Sequence, residues 1–156
     1  MRDKGGLMVS KILVPTDGSK TAQKAGRYAV ELAKQLDASV IIVSVIDKRS
    51  LMSQAIPARA TAVRIAEPVE DYLKEAAERY AGEIKKLCDK SGINSKTLII
   101  TGHPVEEIVK EAVRSKIDLI VIGSRGKSAI AAVVLGSVAY GVLHRDTRTP
   151  ILVVRK

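Results

Sequence analysis

Phenylalanine and tryptophan are absent from this chain, and four tyrosines supply its only phenyl rings. There are no Phe or Trp platforms on which unstacked bases could lie. The 26 Lys and Arg against 17 Asp and Glu are scattered along the whole sequence rather than gathered in one block. The net charge of +9 therefore reads as a general attraction for small polyanions, and nucleic acid is not an expected partner. Cysteine is nearly absent too. The single Cys88 excludes an internal disulfide, and its place on the apolar face of a predicted helix makes it a packing residue. No apolar run reaches the roughly 18 to 20 residues needed to span a bilayer. The opening MRDKGGLMVS lacks the apolar core of a signal peptide, so a cytoplasmic protein without a membrane partner is expected. Metal-binding spacings such as C-x-x-C or H-E-x-x-H are missing.

Two phosphate-binding signatures are also missing. The stretch VIGSRGKS resembles the end of a P-loop, but the glycine required five residues before Gly126 of Gly126-Lys127-Ser128 is replaced by Val121. The dinucleotide fingerprint G-x-G-x-x-G has no counterpart in PTDGSKTA after the first predicted strand; Asp47 after the second stands where a ribose-binding acid can sit but, without those glycines, reads as a loop cap.

What is present is alanine, valine, isoleucine and leucine: 46% of the 156 residues are hydrophobic, the palette of a parallel sheet covered by helices. The length fits one domain, expected over 11–156, with 1–10 a patternless extension whose start at Met1 or Met8 stays open. Periodicity alternates strand and helix. KILVPT, SVIIVSVID, KTLIIT, DLIVIG and PILVV read as strands. One helix follows Ser19 as its cap, with Ala22, Ala25, Ala29, Leu32, Ala33 and Leu36 on one face. A second spans about Pro68 to Ser91, with Val69, Leu73, Ala76, Tyr80, Ile84 and Leu87 inward and Glu70 placed to pair with Lys74. HPVEEIVKEAVRSK gives a third with Pro104 in its first turn, and Gly136 to about His144 a short fourth. The stretch at about 47–67 is too long for an ordinary connection and reads as a lid-like loop with some helical content.

This order implies an α/β fold: a doubly wound five-stranded parallel sheet, order 3-2-1-4-5, with helices on both faces. Such sheets bind ligands where the winding reverses, outside the carboxyl ends of the first and fourth strands. Those ends are PTDGS and GSRGKS. Gly123 and Gly126 expose backbone there, and Gly136, Ser137 and Val138 present a helix N-terminus suited to phosphate. Lys127 and Arg125 can neutralise charge, Ser128 and Ser137 can donate, and Asp17 can accept from a ribose hydroxyl or a base amine. The alternative is that the glycines only make turns and Ser137 only caps a helix.

Gly123-x-x-Gly126, nine residues, then Gly136-Ser137 resembles the G-2x-G-9x-G-(S/T) signature of the nucleotide-binding branch of the universal stress protein family. ILVPTDGS, TGHPVEEIV and GSVAYGVLHRDTRTPILVV extend the resemblance over essentially the whole chain from Lys11. The resemblance implies ATP or another adenine nucleotide in the crevice, with Mg²⁺ or Mn²⁺ at the phosphates. Pro15, Thr16, Asp17 and Val45 would line the adenine and ribose end. Gly123, Ser124, Arg125, Gly126 and Lys127 would follow the ribose and first phosphate, and Gly136, Ser137 and Val138 the outer phosphates. Ala139 stands where relatives often carry Ser or Thr. The resemblance also implies a homodimer paired through the last strand, Pro150 to Val154. No residue set assembles a catalyst: Ser19, Ser124 and Ser137 lack an evident histidine base, and His103 and His144 fall in separate elements with capping or surface roles. The sequence thus points to an adenine-nucleotide-binding stress or signalling switch, against two alternatives: an interaction module that binds no nucleotide, and a slow Mg-dependent ATPase.

Overall fold

A computed structural model describes residue 6 and residues 8–49, 62–127, 135–145 and 148–156, and nine elements lie among them. They are β1 (Lys11–Pro15), α1 (Lys20–Leu36), β2 (Ser39–Ile46), α2 (Ala62–Lys90), β3 (Ser95–Thr101), α3 (Pro104–Arg114), β4 (Leu119–Gly123), α4 (Ser137–His144) and β5 (Ile151–Val154). The strands form one sheet of order β3-β2-β1-β4-β5, every neighbouring pair parallel. Winding reverses between β1 and β4, as the element order predicts. Among the described residues no helix is long and apolar enough to cross a membrane.

The central strands are mostly apolar because both faces are covered, and successive side chains go to opposite layers. Ile12, Val14, Val40, Ile42 and Val121 pack with α1 and α2, whereas Leu13, Val43, Ile120 and Ile122 pack with α3 and α4. Alanine makes the first layer thin. Ala25, Ala29 and Ala33 bring α1 down on the sheet, and a Cβ added at Gly26 would stand 2.7 Å from Ile84 of α2. Ile84 and Cys88 are fully buried in this layer; burial pushes the Cys88 thiol up from its ordinary value.

Helix ends follow local chemistry. The Ser19 side chain accepts from the amide of Ala22 and starts α1, and Asp37 ends it in the left-handed region at φ 53°. In α3, Pro104 occupies the first turn, Glu106 and Glu107 face the positive end, and Arg114 closes the negative end. His103 stands at the cap of α3 without a capping side-chain bond.

Several expectations need correction. Helix α2 begins at Ala62, not near Pro68. A proline removes one amide from the helix ladder and marked the boundary too late. The last part of the expected lid is thus helix, and 50–61 lies outside the described residues. Leu36, assigned to the buried face of α1, is exposed in its final turn. Glu70 pairs with Lys48 at 3.0 Å, across to the end of β2, where an intrahelical partner was expected. Val9 and Ser10, read as part of a patternless extension, are held: Val9 packs against the core and Ser10 is bonded to Asp118.

Asp118 secures the amino ends of β1 and β4. One carboxylate oxygen accepts from the Ser10 amide at 2.8 Å, the Ser10 hydroxyl at 2.8 Å and the Lys11 amide at 2.9 Å. Burial by itself would raise its pKa, but these donors and the charge of Lys11 outweigh it and hold the group below the usual 3.8. A lowered folded-state pKa stabilises above the unfolded value and is lost as pH falls through the folded one. Asp118→Asn is expected to cost about 1 to 2 kcal/mol at neutral pH, the scale of a few charge-assisted bonds at a partly exposed site. In urea titrations the gap between the two proteins should close as pH drops below the ordinary carboxylate range; a gap constant to the lowest pH would rule this account out.

Candidate functional site

Two turns separated by a hundred residues meet at the carboxyl edge of the sheet. The first leaves β1 through Pro15-Thr16-Asp17-Gly18-Ser19. The Thr16 amide extends the ladder by donating to the Val43 carbonyl at 2.8 Å. The Thr16 hydroxyl then accepts from the Gly18 amide at 3.2 Å and Asp17 Oδ1 from the Ser19 amide at 2.9 Å. These side-chain-to-backbone bonds fold the turn locally, and Gly18 takes the φ of +77° that it requires.

The second turn leaves β4 through Gly123-Ser124-Arg125-Gly126-Lys127. Its backbone is tied to the first. Asp17 Oδ2 accepts from the Lys127 amide at 2.9 Å. The Arg125 carbonyl accepts from the Thr21 hydroxyl and, at 3.4 Å, from the Ser19 hydroxyl. The Ser124 amide donates to the Val154 carbonyl at 2.8 Å, and the Ser124 carbonyl accepts from the Gly136 amide at 2.6 Å, which brings in the start of α4.

The three glycines of the spacing pattern have separate steric reasons. A Cβ at Gly123 would lie 2.8 Å from the Thr21 carbonyl carbon and 2.9 Å from the Ala22 amide nitrogen, inside the first turn of α1. At Gly126 it would lie 2.7 Å from Asp17 Oδ2, and at Gly136 it would lie 3.2 Å from Arg125 Cα. The sequence left two readings of these glycines open, access of backbone to a ligand or turns alone. The structure adds that they let the two turns and α4 touch one another.

Around this junction lies a cavity of about 760 Å³, within the usual range for small-molecule sites. Pro15, Thr16, Asp17, Val45, Gly123, Ser124, Arg125, Gly126, Gly136, Ser137 and Val138 all line it. Lys127 does not: its ammonium hydrogen-bonds the Tyr80 hydroxyl and stands 3.8 Å from the centre of that ring. Ser128 lies outside the described residues.

The cavity has two chemically different regions. Pro15, Val43, Val45, Ile108 and Ile122 form an apolar wall edged by the carboxylates of Asp17 and Asp47. Elsewhere it is backbone-rich, with Arg125 and the first residues of α4. The amides of Ser137, Val138 and Ala139 have no acceptor within the helix, and Gly136 offers no capping side chain. Donors and the positive end of the helix dipole thus stand at this rim. Among the described residues no cluster of three or more His, Cys, Asp or Glu side chains is placed to hold a metal ion.

Sequence reasoning missed part of the wall. Asp47, read as a loop cap, does accept from the Arg49 amide at 3.0 Å, and it also lines the cavity. Pro104 and Ile108 enter from α3 and Tyr140 from α4. Their only signal was the side of the sheet to which their helices cross. Tyr80, expected to pack in the core face of α2, instead covers Gly18, where a Cβ would fall 2.2 Å from its ring. The hydrogen bond from Lys127 lowers the Tyr80 phenol from its usual value, against the opposing effect of burial, and Arg79, 5.4 Å from the ring centre, adds to the lowering.

Comparison with known proteins agrees with this fold. A family model described as the universal stress protein family matches residues 8–155. A universal stress protein of Methanocaldococcus jannaschii, MJ0531, is 34% identical over 152 residues, covering 97% of this chain and 85% of the relative. A second from the same organism, MJ0577, is 36% identical over 159 residues, covering 96% and 97%. The solved structure of MJ0577 superposes with a TM-score of 0.81 at 34% identity, over 96% of this chain and 97% of that one. That of a universal stress protein in complex with cAMP gives a TM-score of 0.62 at 26% identity, over 94% and 97%.

Close packing at Gly123 carries its own test. Gly123→Ala forces the β4 turn away from the backbone of α1, which has no flexible side chain to yield there. A loss of about 1 to 3 kcal/mol is expected, the scale of overpacking, measured by denaturant unfolding. An alanine variant as stable as the parent would contradict the close approach.

Proposed function

Since the chain belongs to the universal stress protein family, we propose that it binds an adenine nucleotide in the cavity between the β1 turn, the β4 turn and α4, and acts as a nucleotide-dependent switch. The observation that carries this reading is the pairing within one cavity of an apolar wall edged by two carboxylates with a donor-rich rim at the N-terminus of α4. An adenine ring suits the wall, its amine and the ribose hydroxyls suit Asp17 and Asp47 as acceptors, and phosphates suit the amides of Ser137 and Val138 together with Arg125. A related protein of this family has been solved in complex with cAMP, a ligand of the same class. Mg²⁺ or Mn²⁺ would arrive on the phosphates, which supply the oxygen ligands such ions prefer. Binding is favoured over turnover because hydrolysis needs a base that orients water at the phosphates, and in this reading Asp17 stands at the adenine and ribose end.

Ser137 is exposed at the rim. Ser137→Ala should remove a hydrogen bond to a charged phosphate, worth about 1.5 to 3 kcal/mol and so a roughly ten- to hundredfold loss in ATP affinity by calorimetry with Mg²⁺. Mass spectrometry of small molecules released by heat should recover an adenine nucleotide or leave a protein that binds added ATP. A folded protein that does neither would overturn the site, and wild-type affinity in the alanine variant would remove Ser137 from it.

The same reading includes a homodimer through the last strand. β5 is an edge of the sheet, and Ile151, Leu152 and Val153 are only partly buried, an open edge that pairing with a second copy would cover. Sedimentation should show a dimer, and Leu152→Lys should shift it toward monomer. A wild-type monomer at high concentration would refute this assembly.

A further inference from the structure

Lys127 presents a contradiction that the nucleotide reading leaves unresolved. Its neighbour Gly126 lines the cavity and its amide is held by Asp17, yet its ammonium is turned onto Tyr80 of α2. The same ring covers Gly18 in the β1 turn and carries Arg79 on its face. Tyr80 thus joins α2 to both turns that build the site, and its link to the β4 turn runs through one exposed lysine side chain.

Resting on the nucleotide reading, we infer that Tyr80 and Lys127 form a latch that senses the length of the ligand's phosphate chain. A lysine stem is flexible and its ammonium presents three donors, so the side chain can swing while the Asp17 bond keeps its backbone in place. A phosphate oxygen is a stronger acceptor for it than a neutral phenol, because both partners of the new bond are charged. The added charge of a polyphosphate draws Lys127 from Tyr80 and releases α2 from the β4 turn; a monophosphate leaves the latch closed. A contact that must break on binding lowers the affinity of the ligand that breaks it.

The test compares AMP and ATP with Mg²⁺ by calorimetry on the wild type, Tyr80→Leu, Tyr80→Phe and Lys127→Met. Tyr80→Leu frees the ammonium and should raise ATP affinity about two- to fivefold, the equivalent of an exposed cation-ring contact, while AMP affinity stays constant. Tyr80→Phe keeps the ring and should fall between. Lys127→Met should reduce the preference for ATP over AMP. Ultraviolet difference spectra, with Tyr80→Phe as the subtraction, should show Tyr80 perturbed by ATP and not by AMP. An unchanged ATP to AMP ratio in both Tyr80 variants, or equal perturbation by the two nucleotides, overturns the latch while nucleotide binding stands. Failure of the folded wild type to bind either nucleotide overturns the nucleotide reading and the sensing role with it. Alkaline absorbance titration then still reads the contact: Lys127→Met should move the phenol up toward its ordinary value, and an unmoved phenol overturns the contact itself.

Discussion

The carboxylate of Asp17 holds together two parts of the chain 110 positions apart, one oxygen taking the Ser19 amide and the other the Lys127 amide. Everything proposed for the cavity depends on this bridge. The bond to Ser19 keeps the β1 turn in the form that starts α1, and the bond to Lys127 keeps the β4 turn against it. A carboxylate can do this because, when ionised, it is an acceptor at both oxygens, and neither amide competes for the other's site.

The glycines serve the same constraint from the steric side. Gly126 leaves room for the Asp17 carboxylate, Gly123 for the backbone of α1, and Gly136 for the Arg125 backbone. The spacing of the pattern therefore records where the β4 turn and α4 meet the protein as well as where they can meet a ligand. The two readings weighed from the sequence, turn glycines or binding glycines, are not exclusive: the turns are the walls of the site.

The fold was legible because its signals are redundant. Continuous apolar strands, alanine-faced α1, the Ser19 cap and the Pro104 start each point to the same alternation, and right-handed crossovers leave little choice of strand order. The site was legible in its loops, where glycine, serine and aspartate are read directly. It was not legible where residues reach it from the body of a helix. Nothing in the spacing of Tyr80 distinguishes a core position from a cover over Gly18. Pro104 and Ile108 have the pattern of ordinary helix starts and core positions. Asp47 does both jobs open to it, capping a turn and lining a wall; the sequence put it where a ribose-binding acid can sit, but the missing glycines favoured the cap. The start of α2 was misplaced because Pro68 was given more weight than one missing amide warrants.

The long reach of the Asp17 bridge also has a meaning for folding order. Contacts between segments 110 positions apart carry the loop-closure cost of a long stretch of chain and form after the local strand-helix-strand units. The β1 turn can take its Thr16 and Asp17 bends early, since those bonds span two residues. The cavity cannot exist until β4 docks beside β1. A ligand bound there therefore stabilises only the complete fold, by mass action on its last-assembled contacts, and gives no help to partly folded chains in which the two turns have yet to meet.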